Sequence, residues 1–294
     1  MKKFLHLAIF AVAGLAAALA AVNVGVAWGV VSAMTAPPCL EPQPLAGFPA
    51  PEEYWLPTTD DIEIRVWYYP SQNGAAVLET GGMNGALGER LPPVDFLLQA
   101  GYGVIQVDTR ACARPPAPVT QGYNETHDAE AALDFLLARP EVTPDRIGII
   151  GFSMGGATAI SVAARRSEIQ SVVRDGGFSN LGELLAPAES DSLPIRIHRR
   201  TLLGLYRLRT GVDPWAISPI DDLDAVSPRP VLLIYGEYEA DAGLEQAQAD
   251  SQNIRLWIVP GGAHGRNHLA APQEYERRVL DFFAKTLKPQ QRGR

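Results

Sequence analysis

A serine set between two glycines, directly after a buried apolar run, constrains this chain more than any other feature. Arg146-Ile147-Gly148-Ile149-Ile150 reads as a strand, Gly151-Phe152-Ser153-Met154-Gly155 as a tight turn, and the alanine-rich stretch Ala157 to Ala164 as a helix. The G-x-S-x-G spacing puts the serine on a strained bend, where only glycines tolerate the close backbone approach and the hydroxyl projects above the sheet edge. The pattern alone occurs by chance in many proteins, so its meaning rests on the strand before it and the helix after it. The competing reading is a glycine-rich turn with an incidental serine.

The rest of the chain supplies a setting for such a turn. Ile62 to Tyr69 alternates in polarity and reads as a half-exposed antiparallel strand, ended by the turn signal Asn73-Gly74. Short apolar strands follow at Ala75 to Leu78, Val104 to Val107, Ile147 to Ile150, Val172-Val173, Val231 to Tyr235 and Ile254 to Val259. Helical patterns fall between and after them, at Leu91 to Ala100, Thr126 to Arg139, Met154 to Arg165, Leu244 to Ala249 and Gln273 to Leu287. Such alternation predicts an α/β fold with a mostly parallel central sheet flanked by helices. Residues from about 178 to 230 exceed what one crossover needs and read as a lid. Within it Arg196, His198, Arg199, Arg200, Arg207 and Arg209 interleave with Ile195, Ile197, Leu202, Leu203 and Leu205. A solvated helix with one buried face accounts for this cluster, with anionic lipid heads or an acidic substrate as sharper alternatives.

The amino terminus differs in kind. After Lys2 and Lys3, Phe4 to Met34 carries no formal charge, a stretch longer than the ~20 residues that span a bilayer. Residues 1–35 therefore read as a signal anchor or a signal peptide. Ala18-Leu19-Ala20 offers a cleavage site, yet the apolar run continues past it, which favours the uncleaved anchor. The positive-inside rule puts the lysines in the cytoplasm and the bulk of the chain on the far side; cleavage would release the same domain outside. Proline-rich residues 36–53 read as a linker, and residues 54–294 as one globular domain. Of 294 residues 47% are hydrophobic, enough for one large core, and a net charge of -8 without a basic block excludes a nucleic-acid partner. Cys39 and Cys112 are too few for a disulfide framework and lack metal-ligand spacing; whether they form one bridge stays open.

A serine nucleophile needs a histidine base, itself oriented by a carboxylate. His264, in Pro260-Gly261-Gly262-Ala263-His264-Gly265 after the last strand, has the best setting of the five histidines, with His268 the fallback. The acid is expected after the preceding strand, in Gly236-Glu237-Tyr238-Glu239-Ala240-Asp241, where spacing favours Glu239, then Asp241, then Glu237. Backbone amides serve as oxyanion donors: Met154 at the start of the helix, and Gly82 or Met83 in Thr80-Gly81-Gly82-Met83-Asn84-Gly85.

The elbow Gly151-Phe152-Ser153-Met154-Gly155-Gly156, Gly236-x-x-Glu239, Gly-x-x-His264-Gly265 and their order along the chain resemble the α/β-hydrolase superfamily, over roughly Tyr54 to Leu287. Asp108-Thr109-Arg110-Ala111-Cys112-Ala113-Arg114-Pro115 is similar to the family's D-x-R-G-x-G-x-S loop, with alanines replacing both glycines. Thr80 stands where many members carry histidine, and Glu239 where most carry aspartate. The resemblance is greatest to the dienelactone-hydrolase-like and prolyl-oligopeptidase-like branches. It implies a serine hydrolase acting on an ester, thioester or amide of a small molecule or peptide, through an acyl-enzyme, without metal or cofactor. An acyltransferase on the same triad and a non-catalytic membrane-anchored binding domain are the alternatives.

Overall fold

The computed structural model describes residues 2–187, 192–249 and 252–288. Strands β1 (Glu52–Pro57), β2 (Glu63–Tyr69), β3 (Ala76–Thr80), β4 (Gly103–Val107), β5 (Ile147–Phe152), β6 (Ile169–Asp175), β7 (Val231–Gly236) and β8 (Ile254–Val259) form one sheet in the order β1-β2-β4-β3-β5-β6-β7-β8. β1 and β2 are antiparallel, as are β2 and β4; every pairing from β4 to β8 is parallel. The parallel strands are buried along most of their length because helices cover both faces.

Alternation along the strands divides the core. Leu78, Ile105, Val107, Ile147 and Ile149 point to the face covered by α4 (Glu125–Leu137), α5 (Met154–Arg165), α8 (Pro219–Val226) and α9 (Ala240–Ala249). Val77, Val104, Ile150, Val173 and Ile234 point to the other face, against Phe96 to Leu98 of α3 (Asp95–Gln99) and Tyr275, Val279, Phe282 and Phe283 of α11 (Pro272–Thr286). Two short helices, α2 (Gly85–Glu89) and α10 (Asn267–Ala270), lie in the loops that follow β3 and β8.

Several elements depart from the sequence reading, each for a local reason. The helix expected over Leu91 to Ala100 begins only at Asp95, because Leu91 and Pro92 each precede a proline and are held in extended rather than helical backbone. β6 extends well beyond Val172-Val173 to Asp175, since Arg174 and Asp175 are buried with polar partners and hide the strand's end from an apolar pattern. β1, inside the proline-rich stretch, had no sequence signal; it pairs along its whole length with β2.

The lid region forms α6 (Leu181–Leu185), α7 (Leu193–Thr210) and α8, and it meets the amino-terminal helix α1 (Lys2–Thr35). Ala27 and Val31 of α1 join Leu181, Leu202, Tyr206, Val212 and Ile217 in a third, smaller core. Asn23 lies between the helices, with its Nδ2 donating to Thr201 Oγ1 at 2.9 Å and its Oδ1 2.7 Å from His198 Nδ1. The segment expected as a linker is tied to the domain rather than free: the Val119 amide donates to Thr35 O at 2.9 Å, Leu45 is buried, and Cys39 is bridged to Cys112 with Cα atoms 5.2 Å apart. α1 is apolar and long enough to cross a membrane over His6–Thr35.

Candidate active site

Ser153 follows β5 and caps α5 with φ 54° and ψ -114°, a conformation that L-residues rarely adopt. The glycines around it are required by contact. A Cβ on Gly151 would lie 2.2 Å from Gly155 O, and one on Gly155 would lie 2.1 Å from Thr80 O. The elbow is therefore wedged against the end of β3, and the strain at Ser153 is held by packing on both sides. The Ser153 amide donates to Asp175 O at 2.9 Å, which fixes the bend to β6.

The loops after β7 and β8 bring two of the expected residues to this serine. His264 Nε2 is 2.9 Å from Ser153 Oγ, and His264 Nδ1 is 2.8 Å from Glu239 Oε2. Phe152 lies beside the imidazole, ring centroids 4.9 Å apart. Glu239 sits in a single turn of 3-10 helix after β7, with its Oε1 3.4 Å from the Gly236 amide. The rival acids are elsewhere: Asp241 is exposed at the start of α9, and Glu237 Oε2 accepts from the Gly261 amide at 2.9 Å, bracing the histidine loop. His268 is half-buried, stacks edge-on against Tyr275, and is held below the usual imidazole range by burial. Its setting is structural.

Met154 opens α5, so its amide points out of the helix amino terminus beside Ser153. The Gly82 and Met83 loop is closed by a turn in which the Gly85 amide donates to Gly82 O at 2.9 Å, and Gly81, just before it, lies against Gly155 of the elbow. Thr109 Oγ1 donates to Met83 O at 2.9 Å, and Thr80 Oγ1 to Gly155 O at 2.8 Å. Thr80 thus links the end of β3 to the elbow. The Asp108 to Pro115 loop needs neither family glycine: Arg110–Cys112 is a 3-10 turn, Ala113 is extended at φ -68°, and buried Arg110 is paired with Asp128 and Asp60.

A buried support beneath the serine carries no motif. Arg174, fully buried, donates from Nε to Gly176 O at 3.1 Å, from one terminal nitrogen to Phe178 O and from the other to Gln246 Oε1. Burial pushes the Asp175 carboxyl up to about 6, against hydrogen bonds from Asn267 Nδ2 at 2.7 Å and Tyr275 OH at 2.9 Å. Gly176 has φ +67°, and a Cβ there would lie 2.9 Å from Glu239 Oε1 and 3.2 Å from His264 Nδ1. The signal for this support was Gly176-Gly177 after a strand, legible only once β6 is known to reach Asp175.

Known proteins share this architecture. A sequence model described as the Dienelactone hydrolase family matches residues 118–198, the stretch holding the elbow. A Mycobacterium tuberculosis protein called Uncharacterized protein MT2364 is 30% identical over 237 residues, 77% of this chain and 78% of that one. The Alpha/beta hydrolase domain-containing protein WAV2 of Arabidopsis thaliana is 25% identical over 249 residues, 80% of this chain and 79% of that one. Among solved structures, the Pyrococcus furiosus esterase Pf2001 superposes with a TM-score of 0.66 at 23% identity, covering 85% of this chain and 100% of that one. The chain belongs to the α/β-hydrolase superfamily. Over residues 118–198 it is similar to the dienelactone hydrolases, and the esterase shares its fold.

Proposed function

We propose that this protein is a membrane-tethered serine hydrolase cleaving an ester, thioester or amide of a small molecule or peptide through an acyl-enzyme. One observation carries the reading: an unbroken relay from Ser153 Oγ through His264 Nε2 at 2.9 Å and His264 Nδ1 to Glu239 Oε2 at 2.8 Å. With Nδ1–H donating to the Glu239 carboxylate, Nε2 is the lone-pair nitrogen and accepts the serine proton as Oγ attacks the carbonyl carbon. The negative charge on the carbonyl oxygen faces the amides of Met154 and of Gly82 or Met83, dipoles already oriented before reaction. Collapse expels the leaving group, which takes the proton from His264. Water then repeats the sequence on the acyl-enzyme, and Ser153 is restored.

The tether is the second part of the proposal. The uncharged helix after Lys2 and Lys3 supports a signal anchor with the domain on the extracytoplasmic side. The Cys39–Cys112 bridge supports the same side, because disulfides persist in oxidising compartments.

A fluorophosphonate probe tests the chemistry. It should label the wild-type chain and leave Ser153→Ala unlabelled, and equal labelling of both would remove Ser153 from the mechanism.

A further inference from the structure

The relation between α1 and α7 carries an inference beyond catalysis. On α1 the stripe that packs on the domain runs through Asn23, Ala27, Val31 and Thr35, whereas the large apolar side chains Phe4, Leu7, Ile9, Phe10, Val12, Leu15, Leu19 and Val22 are exposed. Phe4 to Val22 at 1.5 Å per residue is about 28 Å long, close to the ~30 Å hydrocarbon thickness of a bilayer. Asn23 therefore marks the level at which the chain leaves lipid.

α7 runs beside α1 in the same direction. Asn23 meets His198 and Thr201, Ala27 and Val31 pack with Leu202 and Tyr206, and Arg209 lies over Trp28. The start of α7 consequently reaches back past Asn23 towards the lipid. Leu193 precedes His198 and Thr201 along the helix by about 7 to 12 Å. The side chains at that tip are apolar and uncovered: Leu193 is 60% exposed, Ile195 47% and Ile197 49%. Facing water they have no apolar partner; at the level of the acyl chains they would have one.

Cationic side chains lie within and just above that tip. Arg196 and Arg200 are exposed and Arg199 is half-buried, and among the described residues none of the three is paired with a carboxylate, in contrast to Arg207, which pairs with Asp213. Glu189 and Asp191, which precede the helix in sequence, lie outside the described residues. The i, i+3, i+4 spacing of 196, 199 and 200 gathers the guanidinium groups on one face of the helix, away from the side that holds His198 and Leu202 against α1, and a guanidinium can take a lipid phosphate in bidentate fashion. Their stems extend along apolar surface while the heads stay in the interface.

We infer that the first turns of α7 are a membrane-docking element, with the Leu193 to Ile197 tip immersed in the outer leaflet beside α1 and Arg196, Arg199 and Arg200 bound to anionic phospholipid headgroups. The inference rests on α1 being retained as a membrane span. Docked in this way, the lid that starts at the Gly176 loop under Ser153 is held at the bilayer surface.

Single nitroxide labels on the full-length protein in vesicles test it, with Ile195→Cys and Ile197→Cys on the tip, Leu15→Cys on α1 and Leu244→Cys on exposed α9. In vesicles of phosphatidylcholine with phosphatidylglycerol, the tip labels should collide with oxygen more than with a water-soluble nickel chelate, as Leu15 does and Leu244 does not. Phosphatidylcholine alone should make the tip labels shallower, and the triple change Arg196→Gln, Arg199→Gln, Arg200→Gln should abolish that difference between the lipids. Tip labels as water-accessible as Leu244, with Leu15 in lipid, would overturn the docking and leave the anchor intact. Leu15 in water would overturn both. Tip labels at the same depth in both lipids would refute the headgroup role of the arginines.

Discussion

Glu239→Gln separates the proposed relay from a coincidental arrangement of side chains. As Ser153 attacks, His264 becomes an imidazolium whose Nδ1 is 2.8 Å from Glu239 Oε2. Glu239 has a side-chain exposure of 18% and His264 of 50%, so the pair sits near the surface and an effective dielectric of about 20 applies. Unit charges about 4 Å apart then attract by about 4 kcal/mol. Glutamine keeps the shape and removes the charge. At ~1.4 kcal/mol per decade the loss is about a thousandfold in kcat, with KM little changed because Glu239 is one residue removed from the substrate. The amide also makes matters worse in one of its orientations: with its NH2 group towards Nδ1 it selects the tautomer that carries hydrogen on Nε2 and has no lone pair for the serine proton. Asp241→Asn, on an exposed helix start, should stay within about twofold, the scale of ordinary surface changes. Both variants are measured on a p-nitrophenyl ester series, with circular dichroism to check folding. A folded Glu239→Gln protein losing less than about tenfold, or an Asp241→Asn protein losing more than it, would refute the relay.

Gly176→Ala should lower kcat more than it raises KM, since the new methyl would sit 2.9 Å from Glu239 Oε1 and 3.2 Å from His264 Nδ1 at a φ of +67°; a variant with wild-type turnover would show that the acid and imidazole do not depend on this close passage. The left-handed backbone adds about 1 to 2 kcal/mol of destabilisation, visible as a lower melting temperature. Glu79, fully buried on β3 with Oε2 accepting from Gln106 Nε2, has its carboxyl pushed up to about 8 by burial, from an ordinary 4.5. The folded state thus keeps a proton that the unfolded chain has released across this window, so stability falls as pH rises through it. Between pH 6 and 9 the fall due to this group is about 2 to 3 kcal/mol. Glu79→Gln should lack that component in parallel melts, and identical pH dependence in the two proteins would disprove the buried acid.

The elements of the proposed site that directly follow regular strands were legible in the sequence, and those that depend on long-range packing were not. The elbow is written in a contiguous run because Gly151 and Gly155 must clear backbone atoms, which fixes residue type at fixed spacing. His264 and Glu239 follow apolar strands β8 and β7, whose ends are easy to find, and only the choice among Glu237, Glu239 and Asp241 needed coordinates. Arg174 and Asp175 are charged residues in a central strand, so they look like the end of an element until their partners Gln246, Asn267 and Tyr275 are seen. The stripe Asn23, Ala27, Val31 and Thr35 has no contrast within an apolar helix, because periodicity needs polar residues on the other face. The bridge between Cys39 and Cys112 spans a sequence separation of 73, beyond any local pattern.

The last turns of α1 have a consequence for how the polypeptide is processed. They fill the third core beside Leu202 and Tyr206, and Met34 O accepts from Gln121 Nε2 at 2.7 Å. A peptidase cutting after Ala20 would leave this stub, from Asn23 on, as an integral wall of the globular unit. An engineered soluble form that starts after the stub, by contrast, would strip a side from the lid and expose apolar surface, so truncations intended for crystallisation or assay should begin before Asn23 and not at the first strand.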